Sequence, residues 1–189
     1  MKDNVKEENN RSLLRRRMKE TLSSLGKEYI SGSSIHICEF LKKYIRSKDG
    51  VKNVFIYNSY GSEVKTDKII LFLLDGGFNV YLPIVRGDDM YAVAVNKDTK
   101  YVIGDYGISE PLGEAYTGGF DMAVTPMLAF DKDKNRMGKG KGYYDRFFAS
   151  HNVKIKVGLA FSAQKAVSVY PESHDVPMDV IITEEGICG

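Results

Sequence analysis

Between Arg136 and Asp145 the chain reads Arg-Met-Gly-Lys-Gly-Lys-Gly-Tyr-Tyr-Asp, so Gly138, Gly140 and Gly142 alternate with Lys139 and Lys141. Glycine accepts φ > 0 and has no side chain to block an approaching ligand, so such a run can bring backbone N–H groups against phosphate oxygens. An apolar run, Ala123 to Phe130, precedes the loop and a helical pattern starts near Tyr143. The loop therefore leads from a strand to a helix N-terminus, whose field favours an anion. Arg136, Lys139 and Lys141 add full positive charges suited to a triphosphate and to charge that develops during phosphoryl transfer. Asp145 offers a hard carboxylate oxygen to Mg²⁺. The string is neither a Walker A sequence nor a GxGxxG fingerprint. Glycine spacing alone also describes an exposed basic turn, but such a turn has no reason to end in Tyr143-Tyr144-Asp145-Arg146. Adjacent helix residues face different ways. One tyrosine should thus pack the loop against the sheet, and Tyr143 is expected to be the one that meets a ligand.

Other candidates are single residues with plainer alternatives. Arg11 and Arg15 are spaced i,i+4 and share one helix face beside the apolar stripe of Leu14 and Met18, from which they can border the core and point into a cleft. Arg16, Arg17 and Lys19 read as a solvated face. Glu63 lies just before a helical pattern, where a surface acid would favour the helix end. Asp175, between His174 and a turn at Pro177, could be a ligand or a turn former; His174 receives no role. Tyr57, Tyr60, Tyr81 and Met90 could wall an apolar pocket, although such residues in strands are more often core.

The elements that must position these residues alternate. Leu14, Met18, Leu22 and Leu25 predict an amphipathic helix over residues 11–29, with Gly26 a candidate early stop. Ile35, Cys38, Leu41 and Ile45 predict a second, with Ser33 or Ser34 as N-cap and Gly50 closing it. Val54 to Tyr57 reads as a strand, Asp67 to Asp75 as a helix capped by Thr66 and stopped by Gly76-Gly77, and Phe78 to Val85 as a strand, together a βαβ unit. Further strands are expected at Tyr91 to Val95, Met122 to Thr125, Lys156 to Phe161 and Asp179 to Thr183, with a short helix from Tyr143 to Ser150. Such alternation implies a largely parallel sheet covered on both faces, with ligands at the carboxyl ends of its strands.

Composition narrows the function classes. At 189 residues with 43% hydrophobic, the chain can bury one substantial core. It is expected to be a polar tail over residues 1–10 followed by a single domain over 11–189. Lys+Arg 27 against Asp+Glu 25 leaves a formal charge of +2, which argues against a general nucleic-acid binder and makes any cationic site local. Cys38 and Cys188 have neither zinc-site nor disulfide-framework spacing. No apolar run approaches the roughly 18 residues of a membrane span, and the polar start lacks a signal peptide's apolar stretch. A cytoplasmic protein without membrane or nucleic-acid partners is expected.

The string Phe130-Asp-x₄-Arg136-Met-Gly-Lys-Gly-Lys-Gly-Tyr-Tyr-Asp145 closely resembles the signature of the 5-formyltetrahydrofolate cyclo-ligase (5,10-methenyltetrahydrofolate synthetase) family. The resemblance runs from about Arg11 to Ile187. It includes Glu63-Val-Lys-Thr66, Leu82-Pro83, Glu110-Pro111, Gln164, His174-Asp175 and Met178-Asp-Val-Ile-Ile-Thr-Glu184. It implies a three-layer α/β/α sandwich, similar to sugar-phosphate isomerases and CoA-transferases. It also implies a MgATP-driven conversion of 5-formyltetrahydrofolate into 5,10-methenyltetrahydrofolate, ADP and phosphate.

By the same resemblance, ATP would meet Arg11, Arg15 and the string Arg136, Gly138, Lys139, Gly140, Lys141, Gly142, Tyr144 and Asp145. The folate would meet Asn58, Glu63, Lys139, Gly140, Lys141, Gly142 and Tyr143. Lys141, Arg136 and Tyr143 would serve the chemistry, and Asp145 and Asp175 would hold Mg²⁺. The family commonly has lysine where this chain has Arg11; arginine keeps the charge and can grip phosphate with two bonds. A monomer is expected. Two rivals predict other behaviour: an ATP-independent sugar-phosphate isomerase, and an RNA platform of lysines beside stacking tyrosines.

Overall fold

The structure is a computed structural model that describes residues 2–104 and 107–188. Two long helices come first, α1 (Lys2–Ser24) and α2 (Lys27–Arg46). Strand β1 (Asn53–Ile56), helix α3 (Asp67–Asp75) and strand β2 (Asn79–Arg86) form the expected βαβ unit, and β1 and β2 pair in parallel. The chain then turns back through β3 (Asp89–Val95), and β4 (Tyr101–Ile103) pairs with β5 (Ser109–Pro111) as a small separate sheet. After β6 (Ala115–Tyr116) and β7 (Phe120–Pro126), a two-stranded hairpin of β8 (Ala129–Phe130) and β9 (Arg136–Met137) leads into the glycine loop and α4 (Tyr143–Ser150). Strand β10 (Val153–Leu159), a 3₁₀ turn at Ser162–Gln164, β11 (Val180–Thr183) and β12 (Gly186–Cys188) complete the chain.

The main sheet has the order β12-β11-β10-β7-β1-β2-β3-β6. Its five central strands run parallel; β12 and β3 flank them antiparallel, and β6 pairs antiparallel with β3 at the far edge. Alternate side chains on a strand face opposite sides, and the central strands use this fully. Val54, Ile56, Val80, Leu82, Met122, Val124, Val180 and Ile182 pack with Ile37, Leu41 and Ile45 of α2 and Ile69 and Leu73 of α3. On the opposite face Phe55, Tyr81 and Ala123 pack with Phe147 of α4, and Phe55 stacks on Phe147 at 4.3 Å between ring centroids. Helices thus cover both sides, giving the α/β/α sandwich.

The helical N-terminal region departs from expectation at its boundaries. The segment expected as a polar tail continues α1 from Lys2; Met1 lies outside the described residues. Lysine and glutamate are good helix formers, and extending an existing helix needs no new nucleus. The break falls at Leu25-Gly26, and Gly26 becomes the N-cap of α2. Ser33 and Ser34, expected as N-caps, are instead buried inside α2, because its apolar stripe begins at Ile30. There the Ser34 hydroxyl accepts the Lys65 N–H at 3.0 Å. Thr66 occupies the N-cap position of α3 without capping it. Its hydroxyl donates to the Tyr57 carbonyl at 2.9 Å and accepts the Ser59 N–H at 3.1 Å, tying the loop after β1 to the helix start.

Candidate active site

The residues singled out in the sequence collect at the carboxyl ends of the parallel strands. Strand β1 leads into Asn58 and Glu63, and β7 leads through the β8–β9 hairpin into the glycine loop. Within that hairpin, Asp131 Oδ1 accepts the N–H groups of Asp133 and Asn135, which closes the turn and sets Arg136 on β9.

The glycine loop has the backbone its composition implies. Gly140 and Gly142 have φ of 100° and 66°, and Gly142 is the N-cap of α4 without any side-chain cap. Among the described residues, none of the backbone N–H groups of Lys139, Gly140, Lys141 and Gly142 donates a hydrogen bond. Arg15 packs against this loop: a Cβ on Gly140 would lie 3.6 Å from its Nε, and that buried Nε has no hydrogen-bond partner. Unpaired amides beside an unpaired buried guanidinium N–H fit the oxygens of a phosphate chain. Lys139 Nζ reaches across to Glu63 Oε1 at 2.7 Å, while Glu63 Oε2 accepts the Tyr60 N–H at 2.9 Å. Lys141 is exposed and has no ion-pair partner among the described residues.

Arg136 and the two expected metal carboxylates form a linked pair of ion pairs. Arg136, with a side chain only 4% exposed, donates from Nη2 to Asp145 Oδ1 at 2.9 Å and from Nη1 to the Val176 carbonyl at 2.7 Å. Its guanidinium also lies over the Phe148 ring at 5.4 Å. Asp145 Oδ1 accepts the Val176 N–H as well, at 3.1 Å. Asp175, the preceding residue, takes Arg11 Nη1 at 2.7 Å and the Glu172 N–H at 2.8 Å on its Oδ2. Arg11 is buried and also donates to the Tyr170 carbonyl at 2.5 Å.

The structure therefore brings Arg11, Arg15, Arg136, Asp145 and Asp175 to one end of the molecule. Arg11 and Arg136 are already committed to carboxylates rather than standing as open cations. Burial pushes the Asp175 carboxyl up, but the Arg11 hydrogen bond and the Glu172 N–H outweigh it and hold the group below its ordinary value. The oxygens left over, Asp145 Oδ2 and Asp175 Oδ1, are hard donors of the type Mg²⁺ takes. The one described group of three carboxylate or imidazole ligands within 4.8 Å joins Asp175 to Glu172 and His174; Asp145 is outside it.

The two tyrosines of the string divide their work. Tyr143 donates to the Gly87 carbonyl at 3.2 Å and lies under the Arg146 guanidinium at 5.3 Å, so its ring belongs to the contact between α4 and the β2–β3 turn. Tyr144 is half-buried against Phe55 and Phe148, and its phenol is pushed up first by burial and then by the Glu63 charge. On the facing wall Asn58 Nδ2 donates to the Ser109 carbonyl at 3.0 Å. Tyr57, Tyr81 and Met90 are core, and Tyr57 donates to the Val64 carbonyl at 2.8 Å. Sequence reasoning gave no role to Glu172 or Arg146. Glu172 joins Arg11 at 3.6 Å, a pairing that no local spacing signals.

Comparison with known proteins decides the family. The model of the 5-formyltetrahydrofolate cyclo-ligase family matches residues 7–184. The chain belongs to this family. A probable 5-formyltetrahydrofolate cyclo-ligase of Caenorhabditis elegans is 33% identical over 193 residues, covering 92% of each chain. The 5-formyltetrahydrofolate cyclo-ligase of Haemophilus influenzae is 33% identical over 141 residues, covering 69% of this chain and 75% of that one. Among solved structures, the 5,10-methenyltetrahydrofolate synthetase of Aquifex aeolicus superposes with a TM-score of 0.83 at 30% identity, over 94% of this chain and 91% of that one. The cyclo-ligase match begins within α1, so the helix carrying Arg11 and Arg15 belongs to the family's common unit. No described helix is long and apolar enough to cross a membrane.

Proposed function

We propose that this chain converts 5-formyltetrahydrofolate to 5,10-methenyltetrahydrofolate, consuming ATP and releasing ADP and phosphate. The observation that carries this reading is the glycine loop of a cyclo-ligase family member, with unpaired amides and Arg15 against Gly140. The formyl group on N5 is an amide, and its oxygen is a poor leaving group. Transfer of the γ-phosphoryl to that oxygen breaks the bond to ADP and makes the oxygen part of a phosphate. N10 then attacks the activated carbon, loses its proton and expels the phosphate, closing the five-membered ring. Such a sequence asks the protein for positioning and charge stabilisation.

In this reading the amides of Lys139 to Gly142, Arg15 and Lys141 hold the phosphates. Asn58, Glu63 and Tyr143 border the folate. Lys139 lies between the two ligands, because its ion pair with Glu63 joins the nucleotide wall to the folate wall. Arg11 and Arg136 position Asp175 and Asp145, and those two carboxylates would hold Mg²⁺, which neutralises phosphate charge when bound. A monomeric, cytoplasmic enzyme completes the proposal.

The test is formation of the methenyl chromophore from 5-formyltetrahydrofolate with and without MgATP. An ATP-dependent signal with stoichiometric ADP is expected, and its absence from folded protein overturns the proposal. Lys141→Ala should lower kcat/KM about 100-fold, the scale of losing one charge-stabilising donor. Full activity in that variant removes Lys141 from the mechanism.

A further inference from the structure

Arg146 is a cation in the first turn of α4, where it opposes the helix dipole. Its placement calls for a compensating role, and its contacts supply one. Helix side chains lean toward the N-terminus, and Arg146 reaches back along α4 over the glycine loop. Its Nη1 donates to the Lys141 carbonyl at 2.9 Å, and its Nη2 donates to the Asp88 carbonyl in the β2–β3 turn. The Arg146 backbone N–H takes the next carbonyl, that of Gly142, at 3.1 Å. One residue therefore holds two consecutive carbonyls of the loop.

The peptide between Lys141 and Gly142 is trans and planar, so its N–H points opposite to the carbonyl that Arg146 holds. That N–H has no acceptor among the described residues. The packing is close: a Cβ on Gly142 would come within 2.9 Å of Arg146 Nη1. The Arg146 guanidinium also lies over the Tyr143 ring, whose hydroxyl bonds to Gly87 in the same turn. The β2–β3 turn and the glycine loop are thus fastened at two adjacent points.

We propose that Arg146 is a positioning residue of the nucleotide site, which orients the Lys141–Gly142 peptide so that its N–H is presented to a phosphate of ATP. The proposal rests on the ATP-site reading above. It makes Arg146 act through the backbone, without contacting the nucleotide. Lysine keeps the charge but lacks the planar fork that reaches the Lys141 and Asp88 carbonyls together and the flat face that covers Tyr143.

The test uses the full chain with Arg146→Ala and Arg146→Lys, read by equilibrium binding of ADP, by KM for each substrate and by Tm. Arg146→Ala should weaken ADP binding and raise the KM for ATP about tenfold, with the KM for 5-formyltetrahydrofolate changing less than twofold. Arg146→Lys should recover part of the loss. Unchanged ADP binding by folded Arg146→Ala overturns the proposal, as does an equal rise in both KM values with a lowered Tm, the mark of a merely structural staple. If Arg146→Ala does not fold, Arg146→Lys decides: nucleotide affinity equal to wild type overturns the proposal. Wild-type protein that neither binds ADP nor forms the chromophore defeats the functional reading itself, whereas an active wild type with an equally active Arg146→Ala defeats the positioning role alone.

Discussion

Asp145 shows why a residue's chemistry and its structural duty have to be separated before a variant is read. Its Oδ1 accepts both Arg136 and the Val176 N–H, and its side chain is 19% exposed against 4% for Arg136. Removing one partner of a buried pair leaves a charge without compensation, a loss of about 3–5 kcal/mol in fully buried cases. Asp145→Asn keeps an acceptor for Val176 but removes the countercharge, so it should destabilise the fold by about 2–3 kcal/mol as well as impair activity. Urea denaturation checks this, and an unchanged midpoint would mean that the Val176 carbonyl and the Phe148 face suffice for Arg136. Activity loss in Asp145→Asn is therefore no proof of metal binding without the stability measurement. The glycine string was legible because its signal is local: glycines, cations and a helix start lie within ten residues. The fate of Arg136 was not, because its partners include Val176, 40 residues away. Arg11 meets Asp175 across 164 residues, and only the family resemblance placed both in one site.

At the scale of elements, legibility followed punctuation. Helix α3 spans Asp67–Asp75 as read: Gly76-Gly77 stop it, while Thr66 marks its start by tying it to the loop after β1 rather than by capping it. The parallel strands were visible as short apolar runs between polar turns. The strands missed were β4, β5, β6, β8, β9 and β12, each of two or three residues. Pairs that short exist through tertiary contacts, and no sequence period can form within them. A close approach that the sequence did not reveal is at Gly158 in β10, between Thr125 of β7 and Ile181 of β11. A Cβ there would meet Met127 Cε at 2.2 Å, with Ile181 Cγ1 and Met178 Cγ at 3.3 Å. Met127 can swing but the other two are packed in the sheet face, so Gly158→Ala should cost about 1–2 kcal/mol, within the usual range for overpacking a core. A urea midpoint equal to or above that of wild type would show that Met127 yields without loss.

At the scale of the whole molecule, three carboxylates hold segments that are distant in sequence. Asp121 accepts the N–H groups of Lys52 and Asn53 and the Lys154 ammonium, joining β7 to the starts of β1 and β10. Asp175 joins the loop before β11 to α1 through Arg11, and Glu184 joins the end of β11 to Ser162 and to Tyr29 of α2. For each, burial raises the carboxyl pKa but hydrogen bonds and nearby charge outweigh it. Asp121 is lowered by the Asn53 N–H and the Lys154 ammonium, Asp175 by Arg11, and Glu184 by the Ser162 hydroxyl and Tyr29.

A carboxyl whose folded value lies below its unfolded one adds stability that is complete above the unfolded value and is lost as pH falls through the folded one. With ordinary values of 3.8 for Asp and 4.5 for Glu, the loss begins below about pH 5 and deepens toward the lowered values. Release of Arg11 by protonated Asp175 loosens α1, which also carries Arg15 against Gly140. Nucleotide binding should consequently weaken at the acid end of that range, below the ordinary 3.8 of an Asp carboxyl. The expected result is a Tm that is flat near neutrality and falls steeply below about pH 5, with ADP affinity falling only at the lower end of the same acid range. Glu184→Gln should have a lower Tm at pH 7 and a shallower fall in acid, since one of the three protonation steps is gone. Calorimetry across pH 3–7 tests both, and a variant profile as steep as that of wild type would show that Glu184 contributes nothing to the acid response.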